Sequence, residues 1–168
     1  MIKRPLIAKT LGVKKVSSRD FGSWANAQAA TRDGKADVIF GIYRNDERMQ
    51  WLDYVEPSFM MDPVSIVVRT GGGFAFAKWD DLKGRKGVTN VGESFGDKFD
   101  AFMAKNLEVV RAQGVDKAFA ALLDKSADYP STPPAVGPSQ VPAAPRFSAS
   151  YDVFQGLRTP LFMPELAF

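Results

Sequence analysis

Short apolar runs alternate with amphipathic stretches along most of the chain. Residues 36–43 form a nearly continuous apolar run between turn signals, which is typical of a strand covered on both faces. Further β-rich runs lie at residues 64–69, 87–91 and 107–110. Helical stretches are predicted at residues 24–31, 94–106 and 115–124, with a helical turn at residues 79–82. This alternation predicts an α/β fold with largely parallel strands.

The first part of the chain contains several boundary signals. Apolar residues within positions 6–11 recur near helical spacing, and Gly12 stands where a left-handed C-terminal cap belongs. Residues 13–16 predict a short strand. Ser23 is suited to accept a hydrogen bond from a helix N-terminus, so the sequence predicts a capped helix that begins directly after it.

The composition changes near residue 129. Eight of the 11 prolines lie in the last 40 residues, and residues 130–145 carry no charge. Neither helical nor strand periodicity persists there for a full element. The sequence therefore predicts a proline-rich tail that is extended or disordered.

The residues that are absent exclude several kinds of chemistry. The chain has 168 residues with no histidine and no cysteine. It therefore has no Ser-His-Asp or Cys-His nucleophile, no zinc site of the usual histidine and cysteine type, and no disulfide. Carboxylate metal binding and Lys or Tyr acid-base chemistry remain open.

Charge and hydropathy indicate neither a nucleic-acid surface nor a membrane span. The net charge is +3, but charges of both signs are scattered through most of the chain. A nucleic-acid surface needs a concentrated basic patch. The longest strictly apolar run covers residues 118–123, far short of the roughly 18 residues of a transmembrane helix. The apolar stretch near the start is also too short for a signal peptide.

Two junctions between a predicted strand and a predicted helix are candidate anion sites. In residues 41–48 an arginine follows a buried strand, at the edge of the sheet where ligands bind in open α/β folds. It could hold a carboxylate through two parallel hydrogen bonds, or it could pair on the surface with Glu47 or Asp53. Asn45 is a candidate cap for the short helix at this junction. In residues 91–96, backbone N–H groups and the Ser94 hydroxyl could bind an anion, or Ser94 could be an ordinary helix cap.

Other motifs favour structural roles. The glycines at 71–73 lack the Lys-Ser/Thr pair of a phosphate loop, so they indicate a flexible crossover. Acidic pairs lie at helix starts, where carboxylates favour the helix dipole without catalysis. These pairs are Asp46 with Glu47, Asp80 with Asp81, and Asp97 with Asp100.

Several motifs occur along the chain in a specific order and spacing: residues 34–39, Gly41, Glu47-Arg48, Asp53-Tyr54, Pro57, residues 81–84, Val88 and Gly92-Glu93-Ser94. In this pattern the chain resembles the family 3 solute-binding proteins, the periplasmic receptors for polar amino acids that serve ABC importers. The resemblance extends from about Pro5 to Asp128. It implies a type II periplasmic-binding-protein-like fold with two lobes.

The resemblance also implies the site residues and the partners. Arg48 matches the arginine that grips the ligand α-carboxylate, and Ser94 matches a hydroxyl residue that contacts the same carboxylate. Gly41 matches a position whose backbone faces the ligand, while Tyr43 replaces a usual Ser or Thr and either narrows the pocket or packs away from it. The implied ligand is a polar amino acid and the implied partner is an ABC permease in the membrane. The resemblance implies a monomer, no cofactor, no metal, no nucleic-acid partner and no catalytic residue.

The family pattern divides the chain into three parts. Residues 1–70 match part of lobe 1, residues 71–128 match lobe 2, and residues 129–168 are the proline-rich tail. The family's first strand and its second hinge strand have no counterpart, and neither does the aspartate on that hinge strand that holds the ligand α-ammonium group. A parallel sheet without its first strand exposes an unpaired edge. We therefore expect an incomplete binding protein, arising from a truncated or frame-shifted reading frame, in which translation of the flanking DNA would reveal the missing segments.

Location and function have alternatives at this stage. The family is periplasmic, whereas the chain as written shows no export signal and would be cytoplasmic if expressed in this form. One alternative is an enzyme on the same fold, since some relatives are dehydratases that use a cleft carboxylate, with Glu93 or Asp97 as the candidate acid. The other is a sensory ligand-binding domain, although neither a helix-turn-helix nor a transmembrane anchor is visible.

Overall fold

The structure is a computed structural model, and it describes residues 4–61, 64–69, 72–132, 147–152 and 160–164. Its described helices are α1 (Arg4–Leu11), α2 (Trp24–Arg32), α3 (Asp97–Asn106) and α4 (Val115–Leu123). Short 3-10 helices cover Arg48–Gln50 and Trp79–Leu82. The described strands are β1 (Ile42–Tyr43), β2 (Tyr54–Met61), β3 (Ser65–Arg69), β4 (Lys86–Asn90), β5 (Glu108–Ala112), β6 (Tyr129–Thr132), β7 (Phe147–Asp152) and β8 (Pro160–Pro164).

The predicted signals around the first two helices are largely confirmed. Gly12 has a φ of 65° and ends α1, and the next residue, Val13, donates a backbone hydrogen bond of 3.0 Å to the Ala8 carbonyl. This geometry is the usual left-handed helix cap. Ser23 Oγ accepts from Asn26 N at 3.1 Å and caps α2. The strand predicted at residues 13–16 is wrong, because the structure places no strand there.

The described strands form two sheets, a larger one of mixed direction and a smaller one that is antiparallel. The larger sheet has the order β5-β4-β6-β3-β7, and the smaller has the order β1-β8-β2. Strand β4 runs parallel to β5 and β6, whereas β3 runs antiparallel to β6 and β7. The prediction of largely parallel strands therefore holds only around β4. The α/β class itself is confirmed by helices that alternate with strands along residues 79–132.

The apolar run at residues 36–43 contains much less strand than predicted. Only Ile42–Tyr43 is a strand, and it pairs antiparallel with β8. Ile39 and Ile42 instead pack with Leu52, against Trp24 of α2. A short apolar run has the same hydrophobic residues whether it forms a hydrogen-bonded β-strand or a loop packed on the core. Periodicity alone therefore does not distinguish the strand from the loop.

The expectation that residues 129–168 form no regular element is wrong for the described part of that segment, which contains β6, β7 and β8. Strand β6 (Tyr129–Thr132) is buried along its length and lies between β4 and β3. Ser65 pairs with Thr132, and Ile66 pairs with Ser131. Pro130 argued against a central strand, because proline cannot donate to a ladder. Burial between β4 and β3 outweighed that local signal, while residues 133–146, which make up most of the proline-rich stretch, lie outside the described residues.

The largest core cluster joins residues that precede strand β3 in the chain with residues that follow it. Its aromatic members include Tyr43 from the first part of the chain and Phe95, Phe99 and Tyr129 from the second. Its remaining buried members are Val64, Ile66, Val68, Leu82 and Met103. Phe95 lies 6.0 Å from Phe99 and 6.4 Å from Tyr43, measured between ring centroids. No helix among the described residues is long and apolar enough to cross a membrane.

Tyr129 should tolerate, or even favour, loss of its hydroxyl group. Its side chain is fully buried, its Oη has no hydrogen-bond partner among the described residues, and burial raises the pKa of the phenol. An unsatisfied buried hydroxyl costs about 1 kcal/mol or more. Tyr129→Phe is therefore expected to raise the free energy of unfolding by about 1 kcal/mol, measured by urea denaturation.

The matched control is Tyr54→Phe. The Tyr54 hydroxyl donates to the Tyr43 carbonyl at 3.2 Å, so its loss should lower the free energy of unfolding by about 1 kcal/mol. If Tyr129→Phe destabilises the chain as much as Tyr54→Phe does, the buried Tyr129 hydroxyl is satisfied after all.

Candidate functional site

A cavity of about 380 Å³ lies between helix α2 and the loop that follows strand β4. One wall is a single face of α2, with residues at helical spacing; the opposite wall is the loop after β4. The α2 residues are Ala25, Gln28, Ala29 and Arg32, and the others are Asn45, Glu47, Arg48, Gly92, Glu93, Ser94 and Arg111. The cavity therefore combines residues from 4–61 with residues from 72–132.

Arg48 is the most deeply buried charge at the cavity. Its side chain is 1% exposed, and its guanidinium donates to the Tyr43 carbonyl at 2.8 Å and to the Gly92 carbonyl at 2.9 Å. Asn45 Oδ1 accepts from the Arg48 backbone N at 2.7 Å, which fixes the turn that carries it. The Asn45 side chain therefore bonds the first residue of the 3-10 helix, although Glu47 and not Asn45 occupies its N-cap position.

The described partners of Arg48 are neutral. Among the residues whose side chains the structure describes, no carboxylate lies within 4.0 Å of its guanidinium. Burial lowers the pKa of Arg48, against the opposing influence of Tyr54 and Glu93. A buried cation held only by carbonyl groups is electrostatically incomplete, and an anion would stabilise it.

Ser94 lies beside this turn but has committed hydrogen bonds. Its Oγ accepts from Asn45 Nδ2 at 2.7 Å and donates to an Asp100 carboxylate oxygen. The other Asp100 oxygen accepts from Phe95 N at 2.9 Å, and burial raises the pKa of Asp100. Ser94 can donate to a ligand only by exchanging its bond to Asp100.

The structure excludes one of the two roles predicted for Ser94. Helix α3 begins at Asp97, with Gly96 at the N-cap position, rather than at Ser94 as predicted. Ser94 therefore precedes the helix and is not its ordinary cap. Its buried position on the cavity wall is consistent with the anion site that the sequence predicted.

Glu93 gives the cavity a negative charge opposite Arg48. Desolvation raises the pKa of Glu93 to about 7, although Arg48, a hydrogen bond with Asn90, and Arg111 act in the other direction. Glu93 belongs to no ion pair within 4.0 Å among the described residues. In contrast, Glu47 on the same wall is paired with Arg32 at 2.8 Å.

Several hydrogen bonds connect the two walls of the cavity. Gln28 Nε2 donates to the Gly92 carbonyl at 3.0 Å, and the Asp46 backbone N donates to Asp97 Oδ1 at 3.1 Å. Together with the bond between Asn45 and Ser94, they hold the α2 side against the loop after β4. The walls therefore meet in a closed arrangement.

The structure brings only part of the predicted site to this cavity. Arg48 and Ser94 line it, whereas Gly41 and Tyr43 do not. Tyr43 is 2% exposed and packs in the main core, where its size is accommodated, while its carbonyl orients Arg48. Gly41 is exposed with a φ of 74°, a backbone conformation that favours glycine. Of the two candidate acids, Glu93 lines the cavity and Asp97 does not.

Sequence reasoning missed several cavity residues. Gln28 and Arg32 belong to the α2 face, and their helical spacing with Ala25 and Ala29 was the signal that could have found them. Arg111 is contributed by the edge strand β5, and no local pattern points to it. No group of three or more acidic residues among those described is arranged to hold a metal ion.

Comparison with known proteins identifies the family and the fold of the chain. The chain matches the family model "Bacterial extracellular solute-binding proteins, family 3" over residues 5–130. A search of curated proteins finds no significant match.

Solved structures share the fold. An ancestral arginine-binding protein bound to glutamine is 26% identical with a TM-score of 0.73, and the match covers 94% of this chain and 68% of that protein. The holo arginine-binding protein from T. maritima is 22% identical with a TM-score of 0.74, and the match covers 96% of this chain and 68% of that protein. An ancestral amino acid-binding protein described as a precursor of cyclohexadienyl dehydratase is 20% identical with a TM-score of 0.72, and the match covers 96% of this chain and 67% of that protein.

These matches confirm the type II periplasmic-binding-protein fold. The chain spans about two thirds to 70% of the length of the matched structures. The family model covers about three quarters of the sequence. The chain belongs to family 3 of the bacterial extracellular solute-binding proteins.

Proposed function

We propose that this chain binds an amino acid in the cavity beside α2, with Arg48 holding the ligand α-carboxylate. The observation that carries the proposal is a buried guanidinium whose described partners are two neutral carbonyls. A carboxylate would supply the missing negative charge and accept charge-assisted hydrogen bonds. The solved relatives described as bound to glutamine and to arginine are consistent with this ligand class.

Ser94 is the second proposed contact to the carboxylate. Its hydroxyl lies on the wall opposite α2 and is bonded to Asn45 in the turn that carries Arg48. Ligand binding would transfer the Ser94 donor from Asp100 to the ligand. Gly41 and Tyr43 would then act indirectly, Gly41 through its turn and Tyr43 through the carbonyl that orients Arg48.

We also propose how binding is coupled to transport. Residues 1–70 and 71–128 are the two lobes that close on the ligand, and β3 and β6 are the strands that connect them. Closure of two lobes about such strands is a common hinge motion. The closed monomer would be recognised outside the cytoplasm by the membrane permease of an ABC importer, the role that the resemblance implies.

Glu93 supports a second candidate function. Its pKa of about 7 suits a general acid or base near neutral pH, and it lines the cavity. A dehydratase acting on a prephenate-like or arogenate-like compound would use such a group. Turnover of either compound by the purified chain would favour this candidate over simple binding.

A thermal-shift and calorimetric screen against the amino acids tests the main proposal. At least one amino acid is expected to bind with micromolar affinity and to raise Tm, because ligand at about 100 times Kd stabilises by about 2.7 kcal/mol. The decarboxylated counterpart, such as agmatine for arginine, should give no shift. A folded chain that binds no amino acid, or binds agmatine as well as arginine, contradicts the proposal.

A further inference from the structure

The cavity contains two opposite charges that no described ion pair neutralises. Arg48 and Glu93 both line it, and neither lies within 4.0 Å of an oppositely charged group among the described side chains. Arg32 and Glu47 of the same walls differ, because they pair with each other, and Glu47 also accepts from Trp51 Nε1 at 3.2 Å. Arg111, the remaining charged residue of the walls, belongs to no described ion pair and donates to the Glu93 carbonyl.

The backbone of Glu93 is held firmly on the cavity wall. Its N–H donates to the Asn90 carbonyl at 3.1 Å, and its carbonyl accepts from Arg111 Nη1 at 2.8 Å. The Asn90 side chain lowers the pKa of the Glu93 carboxyl, but desolvation raises it by more. The residue is therefore positioned without a cation bound to its carboxylate.

The other carboxylates near the cavity are committed to internal donors. Asp100 accepts from Ser94 and from Phe95 N, and Asp97 accepts from Asp46 N. Strand β6, which connects the two sides, contributes Tyr129, Pro130, Ser131 and Thr132, none of them acidic. Among the described residues, Glu93 is thus the carboxylate on the cavity wall that remains open to a ligand cation.

We propose that Glu93 accepts the α-ammonium group of the ligand while Arg48 holds its α-carboxylate. A zwitterion placed between them would neutralise both charges at once, and it would compensate for the lack of an acidic residue on β6. This inference rests on the proposed amino-acid binding and names the group that recognises the amine.

The proposal has a consequence for pH dependence. The charged or titratable groups around Glu93 are Arg48, Arg111 and Asp100, and desolvation outweighs them to raise its pKa to about 7. A bound ammonium group favours the ionised carboxylate and lowers that pKa. Binding of the amino acid should therefore strengthen as the pH rises from 6 to 8. At higher pH a smaller fraction of the free protein carries a protonated Glu93 that must lose its proton before the ligand binds.

The test uses calorimetry on the full 168-residue chain with two matched pairs of probes. L-glutamine is compared with glutaramic acid, and L-arginine with 5-guanidinopentanoic acid; each second compound lacks only the α-amino group. In the unmodified chain the amino acid should bind at least tenfold more tightly than its deamino partner at pH 8. Glu93→Gln should remove that preference and the pH dependence, while leaving binding of the deamino compound within about twofold.

Two further variants separate the possible failures. Glu108→Gln, an exposed change on β5 outside the cavity, should leave the preference intact. Arg48→Ala should weaken the binding of both compounds in each probe pair. If neither member binds the unmodified chain, the proposed amino-acid binding fails; if both bind and Glu93→Gln keeps the preference, only the role of Glu93 is overturned.

Stability gives an independent measurement. A carboxyl whose folded-state pKa lies above its unfolded value favours folding at low pH and disfavours it as the pH rises through about 7. Glu93→Gln should therefore raise Tm at pH 8 and leave it nearly unchanged at pH 4, even as amino-acid binding weakens. A lower Tm at pH 8 would show that Glu93 already has a stabilising partner and is not available to a ligand.

Discussion

Replacing Arg48 with alanine should reduce amino-acid affinity by about 100-fold or more, which moves a micromolar Kd to about 0.1 mM or above. Truncating one member of a buried charge pair costs about 2–5 kcal/mol, and every 1.4 kcal/mol is tenfold in affinity. Arg48 is 1% exposed and its described partners are neutral, so solvent cannot replace the lost contact. Calorimetric titration of the amino acid found in the screen measures the effect.

Two variants accompany this measurement. Arg44→Ala removes a neighbouring exposed arginine that pairs with Glu56 at 3.1 Å and does not line the cavity, so it should leave binding unchanged. Arg48→Lys keeps the positive charge but lacks the planar fork, so an intermediate loss is expected. Undiminished binding by a folded Arg48→Ala variant would remove Arg48 from the site.

Replacing Gly87 with alanine should destabilise the folded chain by about 3 kcal/mol. A methyl group at position 87 would lie 2.7 Å from Tyr129 Oη and 2.8 Å from Tyr129 Cζ. Both residues are buried in the centre of the larger sheet, where β4 and β6 pair Gly87 with Tyr129. Because the aromatic ring is packed on the core, it cannot move aside without disturbing its neighbours. Urea denaturation followed by circular dichroism measures the change.

A double-mutant cycle identifies the cause of this loss. In a Tyr129→Leu background the ring is absent, so Gly87→Ala should cost much less than in the unmodified chain. The coupling energy between the two positions is then expected to be at least about 1 kcal/mol. An equal cost in both backgrounds would mean that the added methyl group acts through something other than the Tyr129 ring.

The elements with strong local signals were predicted well. Helices α2 and α4 and strand β3 agree with their predictions to within about two residues, because capping residues and apolar periodicity act over a few positions. Strand β6 was missed because its proline-containing sequence has no strand pattern of its own. Its conformation depends on pairing with β3 and β4, which lie more than 35 residues away in the chain.

The candidate site was predicted in part for the same reason. Arg48 and Ser94 follow strands, and the family motifs placed them, so both were found from the sequence. Arg32 and Arg111 reach the cavity only because α2 and β5 are folded against the same loop. Tyr43 was placed near the ligand by its position in the motif, but its ring packs in the core, 6.4 Å from Phe95 between ring centroids.

The amino-acid sequence was sufficient to identify the family, the α/β class and the two residues proposed to hold a carboxylate, because these depend on short motifs and local periodicity. It also excluded histidine and cysteine chemistry, since those side chains are absent. The charge balance of the cavity became visible only in the folded chain. Whether Arg48, Glu93 and Ser94 are paired, desolvated or open to a ligand depends on distances between segments far apart in sequence, and burial and Coulomb interactions follow those distances.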